Sequence, residues 1–151
     1  MTVEQTPVGI RVKVSLPYAE AVEKTIAALK TEGFGVLTTI DVKQTIREKL
    51  GEDYRPYVIL GACNPPLAHR ALTAEPEVGL LLPCNVVVYE EGDGCVVSAM
   101  DPTKAMQLVP HPELEAVAKE ARAKLERVLH QVAGETPARK PGSPAGSPLV
   151  G

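Results

Sequence analysis

At 151 residues, 44% of them hydrophobic, the chain has the length of one domain and enough apolar surface to fold without disulfide or metal staples. A formal net charge of −3, aromatics at 3% and no Trp supply neither a basic face nor a base-stacking platform, so nucleic acid is not expected as a partner. The longest apolar runs, such as Val78 to Leu82 and Val86 to Tyr89, fall far short of the ~20 residues of a membrane helix, which removes a membrane partner as well.

In chain order, Ile10-Arg11-Val12-Lys13-Val14 alternates apolar and polar side chains, the pattern of a strand with one wet face. Pro17 suits a first helical turn, Val22, Ile26 and Leu29 share a stripe, and Gly33 provides a stop, so Tyr18 to Glu32 reads as an amphipathic helix. A second strand follows from Val36 to Ile40. Asp41 and Gln44 form a capping-box pattern ahead of a short helix, whose Val42, Ile46 and Leu50 keep helical spacing up to Gly51.

Tyr57 to Leu60 is a continuous apolar strand, after which Asn64 can cap a helix that starts at Pro65 and runs to about Leu72. Val86 to Tyr89 and Cys95 to Ser98 flank the turn Glu91-Gly92-Asp93-Gly94, which makes them an antiparallel hairpin. Beyond a turn capped by Asp101-Pro102, the stripe Leu114, Val117, Ala118, Ala121, Leu125, Val128 and Val132 defines a long final helix. Its wet face carries Glu115 before Lys119 and Glu120 before Lys124, both in the favourable order for i,i+4 pairing.

This order of elements predicts an α+β fold: an antiparallel sheet of about five strands with helices on one face and a long C-terminal helix. No Gly-rich phosphate loop follows the first strand. Residues 1–133 are expected to form one globular domain. Residues 134–151, rich in Pro and Gly with little to bury, are expected to form a flexible tail. The first six residues lack the basic-then-apolar pattern of a secretory signal, and three Cys without a CxxC pair do not read as a disulfide framework. A cytoplasmic protein with free thiols is expected.

Two segments share a pattern: Gly61-Ala62-Cys63-Asn64-Pro65-Pro66 and Leu82-Pro83-Cys84-Asn85-Val86. If their strands pair antiparallel, the end of one and the start of the other lie at one rim of the sheet, bringing the two Cys-Asn pairs together. Cys63 precedes a helix N-terminus, where the helix dipole favours a thiolate; equally, both Cys can be small packing residues and Asn64 a plain helix cap. His69 is the nearest further donor, with Asp41 and Asp101 in neighbouring turns. The cysteines stand 21 positions apart (84 minus 63), with no CxxC or HxH pair, so no metal site is assigned. Cys95, Met100 and Met106 read as packing residues. His111 and His130 belong to the last helix or its flank, and no Ser sits in a GxSxG elbow.

Three stretches together, Gly33-Phe34-Gly35-Val36-Leu37 with Asp41-Val42, Gly61 to Pro65 and Leu82 to Tyr89, resemble the domain of unknown function 302 family over roughly residues 10 to 132. The resemblance implies a fold similar to the TATA-binding-protein-like or helix-grip class, and it carries no activity or catalytic residue to transfer. It ranks Cys63 and Cys84, with their neighbours Asn64 and Asn85, as site candidates. The leading expectation is a homodimeric small-ligand-binding or interaction module with its site at the Cys63/Cys84 rim, taking in Asn64, Asn85 and His69. A thiol-dependent or metal-assisted enzyme at the same rim, including a Cys63/His69 pair, and purely structural cysteines are the alternatives. The cofactor, if any, is not named by the sequence.

Overall fold

The alternation that begins at Ile10 builds a strand whose apolar side chains are all buried, and the same two-residue period recurs in the strand that starts at Cys84. The computed structural model describes residues 2–134, so the Pro/Gly-rich segment expected to be a flexible tail lies, apart from Gly134, outside the described residues. The strands are β1 (Glu4–Gln5), β2 (Gly9–Val14), β3 (Gly35–Asp41), β4 (Tyr57–Cys63), β5 (Cys84–Glu91) and β6 (Gly94–Met100). The helices are α1 (Tyr18–Thr31), α2 (Val42–Leu50), α3 (Pro65–Ala74), α4 (Pro102–Ala105) and α5 (Pro112–Val132), with short 3-10 turns at Pro76–Leu81 and Met106–Leu108. All strand pairings are antiparallel, in the order β1-β2-β6-β5-β4-β3.

The α+β architecture and the long last helix are as the sequence predicts, but the sheet has six strands rather than about five. The extra strand, β1, is two residues long and therefore carries no periodicity to read. It is set against β2 by a turn in which the Thr6 N–H donates to the Gly9 carbonyl at 2.7 Å and the Gly9 N–H donates to Thr6 Oγ1 at 2.8 Å.

One face of the sheet, bearing Ile10, Val12, Leu60, Val86, Val88 and Val97, packs against Ala28 and Leu29 of α1 and Leu125, Val128 and Leu129 of α5. Each fully buried Leu or Val contributes on the order of 1.5–3 kcal/mol of transfer free energy, so this layer is the main source of stability. A second apolar cluster joins Leu67 and Ala71 of α3 to Val78, Met106 and the N-terminal half of α5. By contrast α2 buries no side chain.

Ion pairs fasten the helices to one another. Arg70 of α3 reaches Glu113 at 2.9 Å and Glu120 at 2.6 Å on α5, so Glu120 is turned toward α3 rather than serving only the expected pairing with Lys124. Arg127 of α5 meets Glu32 at the end of α1 at 2.9 Å. His111 takes a role the sequence did not suggest: its Nδ1 accepts the Glu113 N–H at 3.0 Å and caps α5. Among the described residues no helix is long and apolar enough to cross a membrane.

Candidate functional site

Strand-to-helix junctions set the geometry. α1 ends where Gly33 takes a φ of +84°, a left-handed conformation that a side chain disfavours, and the Phe34 N–H closes back on the Leu29 carbonyl at 3.0 Å. That reversal starts β3 and buries Phe34 beside the end of β4. β4 then runs straight into α3: Asn64 Oδ1 accepts the Leu67 N–H at 3.3 Å, and its Nδ2 donates to the Glu32 carbonyl at 3.2 Å. A single buried amide thus caps α3 and anchors it to the end of α1. Gly33 is also where Asn64 passes, since a Cβ there would lie 3.0 Å from Asn64 Nδ2.

The register of β4 on β5 places Ala62 opposite Cys84 and Gly61 opposite Asn85. The two Cys-Asn segments therefore meet at one rim, the arrangement that antiparallel pairing requires. Gly61 is needed at this point, because a Cβ would collide with Thr38 Oγ1 and press on Pro83 Cγ at 2.9 Å. The Leu82-Pro83 peptide bond leading into β5 is cis.

Beneath the rim lies a cavity of about 270 Å³ between the sheet end, α3 and α5. Cys63 and Cys84 both line it. Phe34, Leu67, Ala71 and Met106 close the sides, and Ala118 and Ala121 of α5 leave the room. Among the described residues Asn64 is the single polar side chain in the lining apart from the cysteines, and both ends of its amide are engaged. Leu37, 68% exposed at the irregular register between Val36 and Thr38, stands at the mouth.

The other sequence candidates are placed elsewhere. Asn85 is exposed on β5, on the sheet face opposite to Cys84, and His69 is exposed on α3; neither lines the cavity. Burial, and to a smaller extent neighbouring Cys63, pushes the Cys84 thiol up to about 11. At neutral pH it is a protonated thiol, the opposite of an activated nucleophile. All three cysteines are free; Cys95 sits at the other end of the sheet, its Sγ donating to the Leu16 carbonyl at 3.4 Å.

Asp41 and Asp101, the acidic neighbours of the sequence reading, are helix caps. Asp41 accepts the Gln44 N–H at 3.0 Å. Asp101, 0% exposed, accepts from the Thr103 N–H and Oγ1, from Gln5 Nε2 and from Arg122 at 2.6 Å. Desolvation alone raises its pKa, but those hydrogen bonds and the Arg122 charge outweigh it and hold the carboxyl below its usual range. Among the described residues no three His, Cys, Asp or Glu side chains are grouped to hold a metal ion.

Sequence reasoning missed the lining contributed by Phe34, Met106 and α5. The available signal was the pair of small residues, Ala118 and Ala121, inside a stripe otherwise built mostly of Leu and Val.

The sequence model described as domain of unknown function DUF302 matches residues 10–132. Among solved structures, the chain is similar to the uncharacterized conserved protein DUF302 from Bacillus stearothermophilus, at 35% identity and a TM-score of 0.77, over 83% of this chain and 98% of that one. No curated protein matches.

Proposed function

The chain belongs to the DUF302 family, and from that premise we propose that it is a small-ligand-binding protein whose ligand enters the cavity under the Cys63/Cys84 rim. The observation that carries this reading is the cavity itself: about 270 Å³, apolar, open at Leu37, and built where small side chains on α3 and α5 face each other. A dry cavity of roughly 150 Å³ already accepts benzene, so this volume suits a compact apolar molecule or part of one. The proposed location is the cytoplasm, where three unpaired thiols stay reduced.

A thiol enzyme at the same rim has less support. Cys84 is held protonated, and His69 does not share the cavity to act as its base.

Indole serves as the probe. Saturation-transfer NMR is expected to detect its binding to the full chain, with a rise in Tm that grows with indole concentration. Ala68→Phe, which introduces a ring from the lining of α3, is expected to abolish both signals while circular dichroism stays unchanged. Failure of indole to bind, or equal binding to Ala68→Phe, overturns the proposal.

A further inference from the structure

We infer that the sheet face turned away from α1 and α5 is a dimer interface, and that its occupant is a second copy of this chain packed face to face about a two-fold axis. The inference is independent of the ligand cavity and does not rest on it. The strand register defines this face. It sets Ile40, Ile59, Val87, Ser98 and Arg11 in one row across the sheet, and Tyr57, Tyr89, Val96 and Lys13 in another. The row between them, Val58, Val88, Val97 and Val12, points the other way, into the core beneath α1 and α5.

The central strands have the composition of strands buried on both faces. Tyr57-Val58-Ile59-Leu60 of β4 and Val86-Val87-Val88-Tyr89 of β5 are unbroken apolar runs, the pattern of a sheet covered above and below, whereas β2 alternates. On the outward side Tyr57, Ile59, Val87 and Tyr89 stay only half-buried, and Ile40 is 47% exposed. The Tyr57 and Tyr89 rings stack with centroids 5.2 Å apart, and the Arg55 guanidinium lies 5.7 Å from the Tyr89 ring. Tyr and Arg are side chains that anchor protein interfaces. α2, tied to this corner by Lys43 Nζ donating to the Tyr54 carbonyl at 3.0 Å, buries no side chain and leaves Leu50 69% exposed.

Area and charge select a second copy. The five long strands, about 4.8 Å apart and about seven residues long at about 3.3 Å per residue, make a face on the order of 550 Å². Two such faces bury on the order of 1,100 Å² before side-chain relief is counted, which reaches the roughly 1,000 Å² that a specific interface needs. Residues 135–151 have too little apolar surface for that layer, with Leu149 and Val150 their only large aliphatic side chains. Arg11 and Lys13 stand together on β2, whereas Thr38 and Ile40, on β3 at the far side of the same face, are uncharged. An axis across the strands would set β2 on β2 and oppose those cations. An axis along the strands separates them: β2 lies over β3, and β5, the middle of the five, lies on itself at the roughly −30° of aligned sheets. Val87 is then beside the axis, and Ile40 faces β2 of the second copy.

Sedimentation equilibrium of the full chain tests this. At micromolar concentration the wild-type chain is expected to sediment as two chains. Val87→Lys and Ile40→Lys are each expected to weaken dimerisation by more than about 100-fold, the first by burying an unpaired charge at the axis, the second by setting a cation against β2 of the second copy. Leu80→Lys, at a position 82% exposed on the 3-10 turn Pro76–Leu81 and off the sheet, is expected to leave the mass at two chains. Circular dichroism establishes that each variant is folded; if Val87→Lys does not fold, Ile40→Lys, at an exposed position on the edge strand, decides. A monomeric wild-type chain overturns the inference and leaves the face to an unlike partner. A dimer that persists in Ile40→Lys also overturns it, by placing the contact elsewhere.

Discussion

The same dipeptide, Cys-Asn, occurs at positions 63–64 and 84–85 and meets opposite fates. Asn64 is buried and makes two directional bonds, whereas Asn85 is exposed on the outer face of β5; Cys84 is buried, whereas Cys63 is only half-buried. The difference arises from the element each pair leads into. After Cys63 the strand stops and a helix begins, so the next residue becomes an N-cap turned inward. After Cys84 the strand continues, and the two-residue period sends the next side chain to the other face. Identical chemistry at one rim is thus divided between a cap, two cavity-lining thiols and a solvated surface amide.

The strand-to-helix side of this comparison predicts the largest effects. Asp101, which plays at α4 the part Asn64 plays at α3, adds a charge to the cap. Asp101→Ala is expected to cost about 3 kcal/mol at pH 7, because it leaves Arg122 short of its main partner at a partly screened position. Urea unfolding measures it. The folded pKa of Asp101 is lowered, so its stabilisation is complete above the ordinary carboxylate value of about 4 and is lost as pH falls through the folded value. The gap between wild type and Asp101→Ala is therefore expected to narrow below about pH 4.

Asn64→Ala is expected to cost about 2 kcal/mol, since the Leu67 N–H and the Glu32 carbonyl both lose their partner in a buried setting. Equal stability to wild type in urea would remove the distinction between the two Asn residues.

On the cavity side, Cys84→Ser is expected to cost about 1 kcal/mol at pH 7, from placing a hydroxyl where a thiol is packed among apolar groups. The Cys84 pKa is raised, so the reverse sign applies. Its neutral form stabilises the fold below the unfolded thiol value, and that contribution is lost as pH rises toward about 11. Chemical denaturation between pH 8 and 11 is expected to show the difference between wild type and Cys84→Ser closing with rising pH. The smallest effect belongs to Asn85→Ala, within about 0.5 kcal/mol, as for surface positions generally.

Most of the fold was legible because its signals are local. The alternation at Ile10 to Val14, the hairpin around Gly92-Asp93 and the stripe from Leu114 to Val132 each fit inside one element. β1 was not legible, because two residues held by a Thr6–Gly9 turn have no period. At the site, the approach of Cys63 to Cys84 followed from antiparallel pairing alone, while the positions of His69 and Asn85 away from the cavity depended on helix rotation and strand phase.

The sequence by itself determined the α+β class, the caps at Asp41 and Asn64, and the meeting of two Cys-Asn segments at one rim, because hydrophobic period and capping chemistry act between residues a few positions apart. Only the tertiary structure decided that a cavity lies under that rim and that Met106, Ala118 and Ala121 line it together with residues of the rim. Those contacts join residues some 20 to 60 positions apart, and their approach is set by how α5 and α3 pack on the sheet, which no local pattern encodes.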